Sequence, residues 1–266
     1  MLAVIKGAGD IASGIATRLY RAKFDIVMTD IKHPTSIRNT VCFSNATQKK
    51  SMTIEGITAE YAEDVTSAIK ILCKNNIAVL CDENADCIKM LKPDFVVDAI
   101  LAKRNIGTKI TDAPVVIGVG PGFTANVDCH AVVETLRGHY LGRVYYEGTA
   151  IENTGVPGDI GGHSADRIIR SPKDGIFTPI CKIGDRVEKG QTVAFVDGEK
   201  VVANVDGILR GILNDGIKVT KGMKSGDVDP RCEKEHCYTA SDKALAVGGG
   251  VLEACLSLYQ GGQYGK

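Results

Sequence analysis

Residues 1–14 read MLAVIKGAGDIASG, an apolar run followed by a Gly-rich turn and then by a helical pattern. The order strand, G-x-G-x-x-A turn and helix is typical of the unit that opens a dinucleotide-binding domain. In such a unit Gly7 allows the tight turn, Gly9 lets a pyrophosphate approach the backbone, and Ala12 lets the helix pack closely on the strand. The free N–H groups at the helix start also favour an anion. The stretch therefore predicts a Rossmann-like unit.

An acidic residue follows the second apolar run at the spacing that this unit requires. Residues 26–28 are apolar, and Asp30 comes about 20 residues after the glycines, where a carboxylate holds a ribose diol. Asp10 is unusual, because a carboxylate beside a pyrophosphate repels it unless it is neutralised or turned away. NAD and NADP both stay open as cofactors, and so does a domain without a nucleotide. The predicted cofactor-binding residues are Gly7, Gly9, Asp10, Ala12 and Asp30.

Composition limits the class of protein. The chain has 266 residues, which suits one large domain or two modest ones, and its hydrophobic fraction of 44% supports sizeable cores. The formal net charge is zero, so nothing in it favours nucleic acid or an anionic membrane as a partner. No apolar run is long enough to span a membrane, and the first residues do not resemble a secretory signal. We therefore expect a cytoplasmic protein whose nine cysteines are mostly reduced and buried.

Strand-like and helical stretches alternate as far as residue 126. Apolar runs at 77–81, 95–100 and 115–119 predict further strands of a parallel sheet with right-handed crossovers. Ligands of such sheets bind beyond the carboxyl ends of the strands. Asp98, Lys103 and Arg104 follow one of these strands and are the candidate catalytic residues. Lys103 and Arg104 either neutralise Asp10 or hold a ligand phosphate, or they are solvated loop charges.

The second half of the chain contains an internal repeat. The pattern D-G-I-x(8)-G-x-x-V-x-x-G occurs at 174–190 and again at 206–222, an offset of 32 residues. Short strands with glycines at the corners are what a small two-sheet sandwich requires. The pattern resembles the biotinyl/lipoyl-like barrel-sandwich fold. Lys200 lies near the place of the modified lysine of carrier proteins, but the triplets that surround such a lysine are missing, which disfavours modification.

Two further segments complete the chain. Residues 154–163 are rich in glycine and form either a linker or a ligand loop. In the tail, Cys232, His236 and Cys237 are three soft metal ligands within six residues, but a fourth ligand is missing and the spacing is uncommon, so we predict no metal site. Residues 244–259 form an apolar helix in which three consecutive glycines allow very close packing.

The sequence thus predicts an α/β protein, with a Rossmann-like parallel sheet domain and a small all-β barrel-sandwich (biotinyl/lipoyl-like) domain. Residues 1–126 are the nucleotide-binding domain, and residues 127–168 are a hairpin and Gly-rich connecting segment. Residues 169–228 are the repeat domain, and residues 229–266 are a C-terminal loop and helix.

Several stretches together resemble a known family. They lie at 7–14, 98–105, 118–124, 136–139, 154–162, 229–231 and 241–244. The combination resembles the YqeB family, the selenium-dependent molybdenum hydroxylase system proteins, which are similar to xanthine dehydrogenase accessory (XdhC-like) proteins. The resemblance implies an accessory or maturation protein for a selenium-dependent molybdenum hydroxylase of the xanthine or purine type. It also implies that the Gly-rich turn binds a nucleotide or a molybdopterin dinucleotide.

The resemblance leaves several questions open. The implied partners are the hydroxylase and its maturation proteins, and a homo-oligomer is a further option. Whether the chain is an enzyme stays open. The alternative function is an NAD(P)-dependent oxidoreductase of a small molecule, in which Asp98, Lys103 or His163 donates the proton. Any sulfur-transfer role would need a reactive thiol, for which Cys81 and Cys237 are the candidates.

Overall fold

The structure is a computed structural model that describes residues 1–153, 155 and 162–259. The central part of the predicted Gly-rich loop lies outside the described residues.

One large sheet organises the first half of the chain. Its order is β10-β9-β7-β6-β1-β2-β5-β4-β3. Neighbours from β9 to β4 are parallel, whereas β10 and β3 pair antiparallel at the two edges. The strands are β1 (Leu2–Lys6), β2 (Asp25–Asp30), β3 (Ser51–Ile54), β4 (Ile57–Ala62), β5 (Ile77–Cys81), β6 (Phe95–Asp98), β7 (Val115–Val119), β9 (Ala131–Val133) and β10 (Val144–Tyr145).

Helices cover this sheet through aliphatic faces. The helices are α1 (Asp10–Arg21), α2 (Ala46–Lys49), α3 (Val65–Leu72), α4 (Cys87–Leu91) and α5 (Asp242–Leu258). In α1, Ile11, Ile15 and Leu19 recur at helical spacing and are all buried in one core cluster. The two longest helices pack against each other, since Gly14 of α1 contacts Ala244 of α5. The Ser241 side chain caps α5 by accepting the Ala244 N–H at 3.1 Å.

The repeat segment forms two four-stranded sheets. One has the order β12-β19-β17-β14 and the other β16-β15-β13-β18, while β8 and β11 pair separately. Gly175 and Gly207, which are equivalent in the repeat, begin β13 and β17 with φ of 155° and 158°. The strands are β8 (Thr124–Ala125), β11 (Gly148–Thr149), β12 (Ile168–Arg170), β13 (Gly175–Pro179), β14 (Arg186–Val187), β15 (Thr192–Val196), β16 (Glu199–Val202), β17 (Gly207–Ile212), β18 (Ile217–Val219) and β19 (Lys224–Asp229).

The predicted fold class is wrong. The described part of the chain is mixed α/β with four sheets, not a Rossmann-like parallel sheet domain joined to a barrel-sandwich domain. Residues 51–62 make the β3–β4 hairpin, which turns at Glu55 and Gly56 with positive φ. The hairpin predicted after residue 127 is present as the antiparallel pair of β9 and β10, and it joins the large sheet through β7. The strand-helix alternation reveals the parallel centre of the sheet, but it carries no information about these short edge strands.

The segment after β2 connects the large sheet to the repeat sheets. The Ile212 N–H donates to the Ile37 carbonyl at 2.8 Å, and the Asn39 amide donates to the Ile212 carbonyl at 2.9 Å. Arg38 Nη2 donates to the carbonyls of His236 and Thr239 at 2.9 and 3.1 Å. Residues 37–39 therefore bring β17 and the C-terminal tail to the carboxyl edge of the large sheet, where a cleft forms.

Candidate functional site

A cavity of about 440 Å³ lies at the carboxyl ends of β1 and β2. Parallel strands place their following loops at one edge of a sheet, which is why residues distant in sequence meet there. All five residues predicted to bind a cofactor line this cavity: Gly7, Gly9, Asp10, Ala12 and Asp30. Gly7 is required by its backbone, because its φ is 94° and a Cβ there would lie 2.9 Å from the Ala99 carbonyl oxygen.

The N-terminus of α1 already faces a carboxylate of the chain itself. Asp10 Oδ1 accepts the Ile11 N–H at 2.9 Å, and Asp10 Oδ2 lies 3.6 Å from Arg38 Nη1. A ligand pyrophosphate at this helix start would meet that negative charge and would compete for the same N–H group. The Gly-rich turn therefore does not fit a pyrophosphate in the position usual for a dinucleotide.

Asp30 is held by backbone groups. Its Oδ2 accepts the Ala8 N–H at 2.9 Å, and its Oδ1 accepts the Ile31 N–H at 2.8 Å. Burial raises the pKa of Asp30, and the two backbone hydrogen bonds oppose that rise. The carboxylate thus fastens the Gly-rich turn to the end of β2, where Asp30 lines the cavity.

A second cavity of about 580 Å³ shares a wall with the first and is strongly basic. We call it the basic cleft. Among the described residues that line it, eight carry a positive charge and three carry a negative charge. The cationic residues are Arg38, Lys103, Arg137, Arg167, Arg170, Arg210, Lys224 and Lys243, and the acidic ones are Asp10, Glu152 and Asp227. The residues common to both cavities are Asp10, Ile11, Arg38, Leu101, Lys224 and Asp227.

Two acids of β19 hold arginines at the cleft. Asp227 pairs with Arg167, and Asp229 accepts from Arg231 at 2.6 Å while lying 3.8 Å from Arg210 Nε. Hydrogen bonds from Arg231 lower the pKa of Asp229 against the opposing effect of burial, so this carboxyl stays ionised. These ion pairs fix guanidinium groups in one geometry, which prepares the cleft for an anion.

Arg137 is held from the start of the C-terminal helix. It makes a two-pronged ion pair with Asp242, with N–O distances of 2.5 and 2.9 Å. Hydrogen bonding from Arg137 lowers the pKa of Asp242 to about 2. The pair links the loop after β9 to α5.

Two lysines have no such partner. No hydrogen bond or ion pair to another described residue is present at the ammonium groups of Lys224 and Lys243. Local desolvation lowers the pKa of both, and Asp227 and Asp10 respectively oppose that effect. Arg38 is 6% exposed, and its Nε is buried without a partner among the described residues. The cleft thus contains cationic N–H donors that a bound anion would satisfy.

The candidate catalytic residues are dispersed. Asp98 is buried outside both cavities, where it accepts from Thr108 at 2.5 Å and pairs with Lys6 at 3.6 Å. Lys103 lines the basic cleft, and its Nζ lies 3.1 Å from the Asn153 side-chain oxygen when that amide is oriented to accept. Arg104 lines neither cavity. The cation that neutralises Asp10 is Arg38, and not Lys103 or Arg104.

Sequence reasoning missed the residues that make the cleft basic. Arg38 lies in a polar stretch without a motif, and Lys224 follows the second repeat, outside its pattern. Lys243 lies in the stretch 241–244, which carries part of the family resemblance but assigns no role to this lysine. Their shared position is a tertiary property of three distant segments, which no local pattern in the sequence reveals.

The three possible metal ligands of the C-terminal loop, Cys232, His236 and Cys237, lie in different surroundings. The Cys237 thiol is buried beside the Leu209 carbonyl at 3.9 Å, whereas Cys232 is exposed. His236 Nδ1 lies 3.8 Å from Asp229 Oδ2. In the described part of the chain, no three His, Cys, Asp or Glu side chains are grouped as metal ligands. None of the described helices is long and apolar enough to cross a membrane.

The chain is similar in sequence to a protein of Escherichia coli. It is 50% identical over 261 residues to the "Uncharacterized protein YqeB" of Escherichia coli strain K12. This match covers 98% of the chain and 48% of the E. coli protein, so the chain spans about half the length of that relative. The similarity supports the resemblance to the YqeB family. No family model matches the chain.

Similar solved structures come from another group of proteins. An aspartoacylase family protein from Mesorhizobium loti has a TM-score of 0.27 at 12% identity, over 85% of this chain and 84% of that one. The ectoine utilization protein EutE (DoeB) of Ruegeria pomeroyi has a TM-score of 0.25 at 10% identity, over 85% of each chain. A succinylglutamate desuccinylase from Silicibacter sp. TM1040 has a TM-score of 0.25 at 12% identity, over 85% of this chain and 84% of that one.

These comparisons give the predicted function no support. The curated relative is uncharacterized, and the solved structures are aspartoacylase and desuccinylase proteins, not molybdenum cofactor or xanthine dehydrogenase accessory proteins. We therefore withdraw the prediction of a maturation protein for a selenium-dependent molybdenum hydroxylase, together with the alternative of an NAD(P)-dependent oxidoreductase. With TM-scores this low, the descriptions of the solved structures assign no activity to this chain.

Proposed function

We propose that this YqeB-like chain binds a small polyanion in the basic cleft. The observation that carries the proposal is the pair Lys224 and Lys243, whose ammonium groups line the cleft without a partner among the described residues. Lys224 is exposed and Lys243 is half-buried. Local desolvation, together with repulsion from nearby arginines, lowers the pKa of both ammonium groups, so two positive charges here cost free energy. A bound anion recovers that cost by pairing with them, which explains why unpaired cations face this cleft.

The surrounding arginines define the chemistry of the anion. Asp227 and Asp242 orient Arg167 and Arg137 respectively, and planar guanidinium groups match phosphate and carboxylate oxygens. The adjoining cavity of about 440 Å³ offers room for the uncharged part of a ligand. The proposed class is therefore a phosphate- or carboxylate-bearing small molecule.

The cofactor prediction, NAD(P) or a molybdopterin dinucleotide, stays a prediction. Both molecules carry a pyrophosphate, and the carboxylate of Asp10 disfavours that group at the Gly-rich turn. In this chain the basic cleft, and not the turn, would have to hold the phosphates. A cytoplasmic location, homo-oligomerisation and the absence of nucleic-acid or membrane partners also stay predictions.

Calorimetric titration with inorganic pyrophosphate and with citrate at pH 7 tests the proposal. We compare the wild-type protein with Lys224→Met/Lys243→Met, which removes two charges from the cleft. The matched control is Lys200→Met/Lys218→Met, because both residues are exposed, lie outside the cleft and carry the same charge. We expect the cleft variant to lose at least about tenfold in affinity, since each lost ion pair is worth about 1–3 kcal/mol.

Two results would oppose the proposal. The first is that the wild-type protein binds neither anion at millimolar concentration. The second is an equal loss of affinity in the cleft variant and in the control, which would show a nonspecific effect of net charge.

A further inference from the structure

We infer that Asp10 determines specificity by keeping anionic groups off the Gly-rich turn and by selecting ligands that present a hydrogen-bond donor there. The ligand would place its anionic group at Lys224 and Lys243 and a hydroxyl or an amine at Asp10. The inference rests on the proposed anion binding in the basic cleft. It adds the requirement for a donor, which the cleft alone does not impose.

The geometry of Asp10 carries the first step. Its carboxylate lies where a helix N-terminus ordinarily receives an anion, with Oδ1 on the Ile11 N–H at 2.9 Å. It lines both cavities and is 36% exposed, so a ligand can reach it. An approaching phosphate meets a fixed negative charge there, whereas an ammonium or hydroxyl group meets an acceptor.

Arg38 carries the second step. It is nine-tenths buried, and Nη2 is held by the His236 and Thr239 carbonyls, so the guanidinium keeps its place. Its Nη1 lies 3.6 Å from Asp10, while its Nε is buried without a partner among the described residues. Loss of the Asp10 charge would therefore leave Arg38 with an unsatisfied positive charge facing both cavities, and that charge would attract an anion to the turn.

The acidic character of the first cavity carries the third step. Besides Asp10, this cavity is lined by Asp30, Asp82, Glu83 and Asp227, against Arg38 and Lys224 as the cations among the described lining residues. The basic cleft has the opposite balance. A ligand that reaches into both cavities is therefore bound in one orientation. Its anionic group lies in the basic cleft, and its hydrogen-bond donor lies in the first cavity.

A matched pair of small ligands separates this inference from simple anion binding. O-Phosphoethanolamine carries a phosphate and an ammonium group, and ethyl phosphate has the same phosphate without the ammonium. We expect the wild-type protein to prefer O-phosphoethanolamine by about tenfold at pH 7, the factor that one screened charge pair contributes. Calorimetry gives both affinities.

The same titrations on Asp10→Asn test the residue. We expect this variant to bind pyrophosphate and ethyl phosphate about tenfold more tightly and to lose the preference for O-phosphoethanolamine. Asp25→Asn is the control with the same charge change, since Asp25 lines neither cavity and is exposed. Asp10→Ser is a second variant for the case that Asp10→Asn folds poorly. Serine lacks the charge but can still form hydrogen bonds at a helix start.

The outcomes separate the two proposals. If the wild-type protein binds anions through Lys224 and Lys243 but both Asp10 variants bind unchanged, the inference about Asp10 fails and the basic cleft stands. If no protein binds any of these anions, the proposed function fails and the inference fails with it. Tighter anion binding in both Asp10 variants with an unaffected control supports the inference.

Discussion

Gly14 of α1 packs directly on Ala244 of α5, so that a Cβ added to Gly14 would lie 2.6 Å from the Ala244 Cβ and 2.9 Å from its carbonyl carbon. Residues 230 positions apart in the chain thus bring two helices into close contact. Gly248 of α5 makes the reciprocal approach, because a Cβ there would lie 2.9 Å from the Gly14 carbonyl. The C-terminal helix is held on the N-terminal one, and this contact also brings Lys243 to the basic cleft.

Gly14→Ala is expected to lower the free energy of unfolding by about 2 kcal/mol, because the new methyl group meets backbone atoms that cannot yield. Gly249→Ala is the control in α5, since a Cβ there meets nothing within 4 Å. That variant is expected to gain about 1 kcal/mol from the better helix propensity of alanine. Urea unfolding followed by circular dichroism measures both free energies of unfolding. A change of the same sign in the two variants would contradict this packing.

Asp98→Ala is expected to destabilise the fold by about 3–5 kcal/mol, because it leaves the charge of Lys6 buried without its counter-ion. Lys6 and Asp98 are 5% and 1% exposed, and Thr108 joins them by hydrogen bonds of 2.6 and 2.5 Å. Lys6→Met/Asp98→Ala removes both charges and should recover a large part of that loss. Thermal and urea unfolding give the values. A stable Asp98→Ala protein with impaired ligand binding would instead favour the predicted catalytic role of Asp98.

The local part of the site was predictable from sequence. Gly7, Gly9 and Asp30 lie on one β1-α1-β2 unit, where glycine spacing and hydrophobic periodicity act over fewer than 30 residues. Rules that act over so short a distance can be applied to the sequence alone. The structure accordingly places these residues around one cavity. Even there, the sequence identified the difficulty posed by Asp10 but not the residue that neutralises it.

The basic residues of the cleft and the edges of the sheet depend on tertiary contacts, which the sequence does not show. Arg38, Lys224 and Lys243 come from a loop, a strand of the repeat and the start of α5, and no periodicity relates them. The fold class failed for a similar reason, because β3 and β10 are short edge strands whose direction is set by their pairing partners. Strand-helix alternation predicts the parallel centre of a sheet and is silent about its edges.

Alkylation of the native protein should discriminate among the nine cysteines. We expect iodoacetamide to modify Cys73 and Cys232 first, because both are exposed. Cys81 is exposed too, but it should react more slowly, since local desolvation and the charge of Asp30 raise the pKa of its thiol and thereby lower its thiolate fraction. Cys237 is fully buried and should react only after unfolding. Peptide mass spectrometry over a time course measures the order, and rapid native modification of Cys237 would revive its predicted sulfur-transfer role.

Anion affinity should fall at alkaline pH earlier than an ordinary lysine would require. Local desolvation lowers the pKa of Lys224 and Lys243 from the usual 10.5, and nearby arginines lower it further. The ammonium form binds the anion, so affinity is complete below the lowered pKa and is lost as the pH rises through it. Because the anion favours the ammonium form, binding near that pH should also take up protons.

Titration of pyrophosphate in two buffers of different ionisation enthalpy measures this proton uptake directly. Lys224→Arg/Lys243→Arg keeps both charges and removes the titration, because a guanidinium stays protonated throughout this range. We therefore expect that variant to retain its affinity to higher pH and to show little proton uptake. Identical pH profiles for the wild-type and arginine proteins would mean that the two lysines do not hold the anion, whatever the net charge of the cleft.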